Sequence, residues 1–155
     1  MLERSPGSDE REAEITDFLQ SLAPPIANLC ERLRAVVKKA TPEAIERLRP
    51  GWRLIGYDLP AKGRGKGTYF AWVWPEVEHV HVGWQTGTLM DDPEHVLRGA
   101  HLKLKKVRYL TYAPGDRIVG RVVMAFTRDA ARIAAMSRGE RELLALSRSD
   151  GRNAR

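Results

Sequence analysis

The sequence predicts an α+β fold: an antiparallel sheet of about four to five strands with N-terminal and C-terminal helices packed on one face. Three observations predict it. Apolar residues recur at helical spacing before residue 50, alternate as in strands between residues 52 and 112, and return to helical spacing after residue 116. Helices followed by consecutive strands and then by another helix are typical of α+β proteins. The chain of 155 residues has the size of one domain.

Two amphipathic helices are expected first. The first is predicted from Asp9 to about Leu22, where Asp9 and Glu12 have the spacing of a capping box. Pro24 and Pro25 then interrupt the chain and suit the start of a second helix. Its apolar stripe consists of Ile26, Leu29, Cys30, Leu33, Val36 and Val37. Because Cys30 falls inside this stripe, we expect a small buried hydrophobic residue rather than a reactive thiol.

The middle of the chain predicts a short helix and then strands. Thr41, Pro42 and Glu43 suit an N-cap, a first helical position and a first turn, so a helix is expected that ends before Pro50. The strand candidates are WRLIGYDL (52–59), GTYFAWVW (67–74), EHVHVGW (78–84) and KVRYLTY (106–112). Asp116 is expected to cap a final long helix. A short helical stretch, ERELLALS, follows Gly139.

The predicted organisation is one domain with terminal extensions. We expect a disordered tail over residues 1–8, a single domain with an N-terminal helical extension over 9–138, and a helical or disordered tail over 139–155. No apolar run approaches the ~20 residues that a membrane span needs. The N-terminus has no apolar segment of the kind that secretory signals carry. These features predict a cytoplasmic protein without a membrane partner.

A histidine pair and an acidic loop form a candidate metal site. Residues at i and i+2 of a strand project to the same face, so His79 and His81 are expected side by side. Asp91, Asp92 and Glu94 follow in the next loop and offer oxygen ligands of the kind that iron, manganese or zinc accept. The alternative is a solvated strand face followed by an ordinary turn into a short helix.

The formal net charge of +6 is concentrated in the second half of the chain. The segment HLKLKKVR, residues 101–108, supplies four positive charges: Lys103, Lys105, Lys106 and Arg108. These side chains suit a nucleic-acid backbone, whose phosphates attract lysine and arginine. No recognised nucleic-acid-binding motif accompanies them. Lysines on an edge strand also discourage aggregation between sheets, which is the alternative interpretation.

Aromatic residues concentrate in the strand region. Phe70, Trp72 and Trp74 are expected to form a row on one sheet face. Such a row is typical of a core, but it also suits the floor of an apolar ligand pocket if the helices leave a gap. No sequence motif of a catalytic nucleophile or of a metalloprotease helix occurs, so no catalytic residue is predicted and an enzyme is not favoured.

The segment from Leu29 to Tyr112 resembles the YdhG-like domain family. The resemblance rests on LCERLRAVVKKATPEAIERLRPGW, on RPGWRLIGY, on TYFAWVWP followed by EHVHVGW, on the Leu-x-Asp-Pro-like stretch 89–99, and on Val107-Arg108-Tyr109. It implies an α+β fold. It places His79 at the family's strand histidine, and one branch of the family is linked to a frataxin-like iron-chaperone role. Most members have no assigned function.

Three hypotheses follow from the sequence. The first is a non-enzymatic binding module of this family, with iron handling as its expected role. The second is a nucleic-acid-interacting module that uses the basic 101–108 segment. The third is a small-molecule binder or enzyme with an aromatic pocket.

Overall fold

The computed structural model of the chain describes residues 6–61, 67–102 and 104–153. The elements, in order, are α1 (Pro6–Gln20), α2 (Pro24–Ala40), β1 (Ile45–Arg49), β2 (Leu54–Leu59), β3 (Thr68–Pro75), β4 (Val80–Trp84), β5 (Arg108–Tyr112), α3 (Gly120–Ala134) and α4 (Arg138–Asn153). Two 3-10 turns, Gly87–Leu89 and Ala100–Leu102, lie between β4 and β5. The predicted α+β fold is confirmed.

The five strands form one antiparallel sheet in the order β1-β2-β3-β4-β5. Alternation along the strands gives the sheet two different faces. On one face, Val73 of β3 pairs with Val82 of β4 and both are fully buried. Helices α1, α2 and α3 contact the strands, and their apolar residues join this core. The other face carries Trp72, Trp74 and His81, and we call it the open face of the sheet.

The helix predicted to start at Thr41 and to end before Pro50 is wrong, because Ile45–Arg49 of this segment forms β1. Thr41 does not start a helix: its backbone N–H and its hydroxyl both donate to the Val37 carbonyl at 3.0 Å, which ends α2. Within β1, Glu46 and Leu48 pair with Tyr57 and Ile55 of β2. Sheet pairing and side-chain burial outweigh the local helix signal here.

Other boundaries also differ from the expectation. Helix α1 begins at Pro6, within the stretch that was expected to be a tail, and ends at Gln20. Asp116 does not cap α3, which begins at Gly120; its carboxylate accepts a hydrogen bond from the Ala113 N–H at 2.8 Å and closes the turn after β5. Helix α4 continues through most of the predicted C-terminal tail. Cys30 is fully buried, as predicted.

A buried ion cluster ties the first two helices to the sheet. Arg34 is only 5% exposed, although the sequence places it beside the apolar stripe of α2. Its guanidinium grips Glu46 of β1 through two bonds, Nε to Oε2 at 3.0 Å and Nη2 to Oε1 at 2.6 Å. It also binds Glu31 at 2.9 Å and Glu12 of α1 at 3.3 Å. The Tyr57 hydroxyl donates to Glu46 Oε2 at 2.6 Å.

The cluster sets the ionisation of its members. Burial acts to raise the pKa of Glu46, but the hydrogen bonds from Arg34 and Tyr57 outweigh it and the pKa is lowered. Burial, with the neighbouring Glu46 carboxylate, raises the pKa of Tyr57 well above its ordinary value. Burial also raises the pKa of the Cys30 thiol to about 12. The three groups are therefore held as a carboxylate, a phenol and a thiol at neutral pH.

No helix in the described part of the chain has the length and apolar character that crossing a bilayer requires.

Candidate functional site

The open face of the sheet carries a groove of about 650 Å³, which we call the aromatic groove. Its walls are mostly apolar, and Glu76 and His81 form its polar part. The lining residues are Trp52, Leu54, Trp72, Trp74, Glu76, His81, Leu102, Leu104, Val107 and Tyr109. They come from the turn after β1, from β2 to β5 and from the connection before β5, so the completed sheet is needed to assemble the groove.

Trp72 lies flat over β4 because Gly83 stands opposite it in the strand pairing. A Cβ atom on Gly83 would come within 2.2 Å of Trp72 Cζ2, so only glycine leaves room for the ring. The indole N–H of Trp72 donates to Gln85 Oε1 at 3.1 Å and fixes the ring orientation. One glycine and one hydrogen bond therefore hold the floor of the groove in place.

His81 is held from both sides by hydrogen bonds. Its Nδ1 lies 2.8 Å from the Thr111 hydroxyl of β5, and its Nε2 lies 2.9 Å from Glu76 Oε2. Because a carboxylate can only accept, Nε2 carries a hydrogen and donates it to Glu76. The imidazole also packs against Trp74, with ring centroids 5.2 Å apart, and meets Tyr109 edge-on at 5.5 Å. His81 thus connects the polar part of the groove to its aromatic walls.

The aromatic walls remain accessible to a ligand. Trp52 is 63% exposed and Trp74 is 37% exposed, whereas Trp72 is nearly buried. Large aromatic side chains contribute most of the apolar surface at binding sites, and flat faces favour flat partners. Glu76 is the one carboxylate that lines the groove among the described residues, so it offers an acceptor to a donor or positively charged group.

The predicted aromatic row is confirmed for Trp72 and Trp74 and is wrong for Phe70. The register of β2 and β3 shifts between Tyr57 and Asp58, and Phe70 lies at this irregularity. Its side chain is buried in the helix-covered core. The pocket was also expected beneath the helices, but the groove lies on the opposite face of the sheet.

The candidate metal residues lie in different surroundings. His79 is exposed in the loop before β4, and both nitrogens of His81 already have partners. The Asp92 carboxylate accepts the backbone N–H groups of Val96 and Leu97, each at 3.0 Å, which shapes its own loop.

The two aspartates and His81 do not share a cavity. Asp91 and Asp92 line a cavity beside α4, whereas His81 lines the aromatic groove. Glu94 is exposed. Within residues 6–61, 67–102 and 104–153, no three histidine, cysteine or acidic side chains are placed to hold one metal ion. An iron site stays a prediction that rests on the resemblance.

The predicted basic residues lie beside another cavity. Lys105, Lys106 and Arg108 line a space bordered by α4. Lys103 lies outside the described residues. The alternating leucines of the same segment, Leu102 and Leu104, turn instead to the aromatic groove. In the sequence, this alternation does not connect the two leucines to the tryptophans of β3.

Comparison of the chain with protein-family models, with curated proteins and with solved structures finds no match. The resemblance to the YdhG-like family therefore stays a prediction carried by the sequence motifs.

Proposed function

We propose that the protein is a non-enzymatic binding module that takes a small, flat, mostly apolar molecule into the aromatic groove. The observation that carries the proposal is the set of aromatic rings, with Trp72 held by its hydrogen bond to Gln85, around an accessible cavity of about 650 Å³. That volume lies within the range of ~300–1,000 Å³ that is typical of small-molecule sites. The ligand is expected to stack between Trp52 and Trp74 above the floor made by Trp72.

Preorganisation supports binding. Gln85 fixes Trp72 by a hydrogen bond. Glu76 and Thr111 fix His81 in the same way, so little side-chain freedom is lost when a ligand enters. Each well-placed aromatic contact adds about 0.5–1.5 kcal/mol beyond simple burial of apolar area. The Glu76 carboxylate favours a ligand that carries a hydrogen-bond donor or a positive charge at one end. A positive charge would also be attracted to the faces of the tryptophan rings.

The same geometry favours binding over catalysis. A general base needs a nitrogen or oxygen that faces the substrate. Both His81 nitrogens are occupied within the protein. Thr111, whose hydroxyl contacts His81 Nδ1, is not among the residues that line the groove, so no hydroxyl bonded to His81 faces the ligand space. The remaining groove side chains are apolar or aromatic except for Glu76.

The proposal is tested by titrating the full chain with flat probes: indole, 2-naphthylmethanol and benzyltrimethylammonium. Tryptophan fluorescence and calorimetry report binding. Trp74→Ala is expected to raise the Kd of the tightest-binding probe at least about fivefold, which corresponds to about 1 kcal/mol of binding free energy. Leu143→Ala is the control, because it removes an exposed apolar side chain on α4, outside the groove, and should leave affinity unchanged.

The proposal would be contradicted if none of the probes bound with a Kd below about 1 mM. Equal weakening by Trp74→Ala and Leu143→Ala would contradict it as well. Sedimentation of the chain over a range of concentrations provides an independent check. A dimer that Trp74→Ala dissolves would show that the groove is occupied by a second copy of the chain and not by a small molecule.

A further inference from the structure

A second cavity, of about 620 Å³, is lined by residues of segment 105–108 and of helix α4. Glu142 is its one carboxylate among the described residues. Five cationic side chains line it: Lys105, Lys106, Arg108, Arg138 and Arg141. We call this cavity the basic cleft. It shares no lining residue with the aromatic groove, so its function is independent of the function proposed above.

Backbone contacts bring the first three cations to the cleft. The Thr88 N–H donates to the Lys106 carbonyl at 3.1 Å, which joins the 3-10 turn to the segment before β5. Gly87 permits this close approach, since a Cβ atom there would come within 2.3 Å of Arg108 Cβ. Arg108 Nη1 donates to the carbonyls of Leu104 and Val107, at 2.8 and 2.7 Å. Arg108 is therefore fixed rather than freely mobile.

The cleft also contains polar atoms that the protein does not satisfy. Thr86 Oγ1 and Arg141 Nε are buried and have no hydrogen-bond partner among the described residues, and both residues line the cleft. Buried groups of this kind are uncommon, because an unmade hydrogen bond costs about 1–3 kcal/mol. Both groups can donate a hydrogen bond, which a phosphate oxygen would accept once the two side chains turn toward the cleft.

The positive charge of the cleft is poorly compensated. In the described part of the chain, no carboxylate lies within 4.0 Å of the ammonium groups of Lys105 or Lys106. Arg138 pairs with Glu142 at 3.2 Å, but both side chains are exposed, so this pair contributes little. Five cations against one carboxylate leave an excess that a multiply charged anion would neutralise.

We infer that the basic cleft binds a phosphate-rich ligand and that a compact oligophosphate fits it best. Phosphate groups accept several charge-assisted hydrogen bonds at once, and lysine and arginine supply them. The cations come from two separate elements and face one cavity, instead of following a line along a single strand. A compact ligand can therefore contact several of them together. A free oligophosphate and a polynucleotide backbone share this chemistry.

The experiment is calorimetric titration of the full chain with sodium tripolyphosphate at about 50 mM and about 200 mM salt. Binding is expected at the lower salt and should weaken at the higher. The double variant Lys105→Gln/Lys106→Gln is expected to weaken it at least about tenfold, because two charge-assisted contacts are lost. The control Arg32→Gln/Lys39→Gln removes the same charge from exposed positions of α2 and should retain most of the affinity.

Absence of tripolyphosphate binding, or equal weakening by the two double variants, would overturn the inference. Trp74→Ala should leave tripolyphosphate binding unchanged, so failure of the aromatic groove and failure of the basic cleft are distinguishable. A single-stranded RNA of about 12 nucleotides identifies the source of the phosphate. If the RNA binds, is displaced by tripolyphosphate and binds the Lys105→Gln/Lys106→Gln variant more weakly, the ligand is a polynucleotide. If the RNA does not bind, the ligand is a free oligophosphate.

Discussion

At the scale of single residues, Arg34 shows how one charge determines the packing of three elements. Its guanidinium lies between α1, α2 and β1 and is the partner of the nearly buried Glu46 carboxylate. Sequence periodicity could not reveal this, since an arginine beside an apolar stripe is normally solvated. The burial depends on β1, which lies where a helix was predicted.

Replacing Arg34 by alanine is expected to lower the free energy of unfolding by about 3–5 kcal/mol, because Glu46 would remain buried without its arginine partner. Urea unfolding followed by circular dichroism measures this value. Arg32→Ala, on the exposed side of the same helix, should change it by no more than about 0.5 kcal/mol. A similar small loss in both variants would show that the ion cluster does not hold the helices on the sheet.

Gly83→Ala is expected to displace Trp72 and deform the aromatic groove. The added methyl group would collide with the indole ring, and overpacking of this kind costs about 1–3 kcal/mol. Thermal unfolding and the tryptophan emission spectrum report the two effects. Gly139→Ala is the matched control, since a Cβ atom there meets nothing within 4 Å and α4 gains a better helix former. An unchanged spectrum in Gly83→Ala would disprove the placement of Trp72.

At the scale of elements, the sequence predicts α2 and strands β2 to β5 well, because each carries a regular apolar pattern. It missed β1, whose local Thr-Pro-Glu start signal favours a helix and whose strand character comes from pairing with β2. It also missed most of the groove. Trp52 lies in a turn and Leu102 and Leu104 lie in an irregular connection, so no periodicity links them to Trp72 and Trp74.

Helix α4 is expected to open far more readily than α3. Leu143 and Leu146 of α4 are 69% and 62% exposed, whereas α3 buries residues such as Val123 and Ile133 completely. Exposed helices with few buried contacts exchange their amide hydrogens through local opening. Hydrogen exchange measured by mass spectrometry should show peptides of residues 138–153 exchanging at least about a hundredfold faster than those of 120–134. Equal protection of the two helices would contradict this expectation.

At the scale of the whole molecule, the ion cluster and the buried Cys30 thiol make stability depend on pH in both directions. The lowered pKa of Glu46 contributes stability above its ordinary value of 4.5, and this contribution is lost as the pH falls through the folded-state pKa. The raised pKa values of Cys30 and Tyr57 contribute stability that is fully present below their ordinary pKa values of 9.0 and 10.0. This stability is lost as the pH rises above those ordinary values. Maximum stability is expected between about pH 5 and pH 8.

Thermal unfolding across pH tests the assignment of these limits. Glu46→Gln should flatten the acidic limb of the stability curve. Tyr57→Phe should flatten the alkaline limb of the curve. Cys30→Ala should make the loss of stability that begins near pH 9 smaller. Because each substitution also removes contacts, the shape of the curve is compared and not its height. Limbs that keep their shape in all three variants would place the responsible groups elsewhere.

The strand order has a further consequence for how the molecule acquires its two faces. Strand β1 pairs with β2, β2 with β3 and β3 with β4 through short connections, so these contacts are local in sequence. Strand β5 must instead wait for residues 85–107 to close, which costs loop entropy before any pairing compensates it. This long connection carries Leu102 and Leu104 and the lysines 105 and 106. Both cavities therefore exist only once this long connection has closed and β5 has paired with β4.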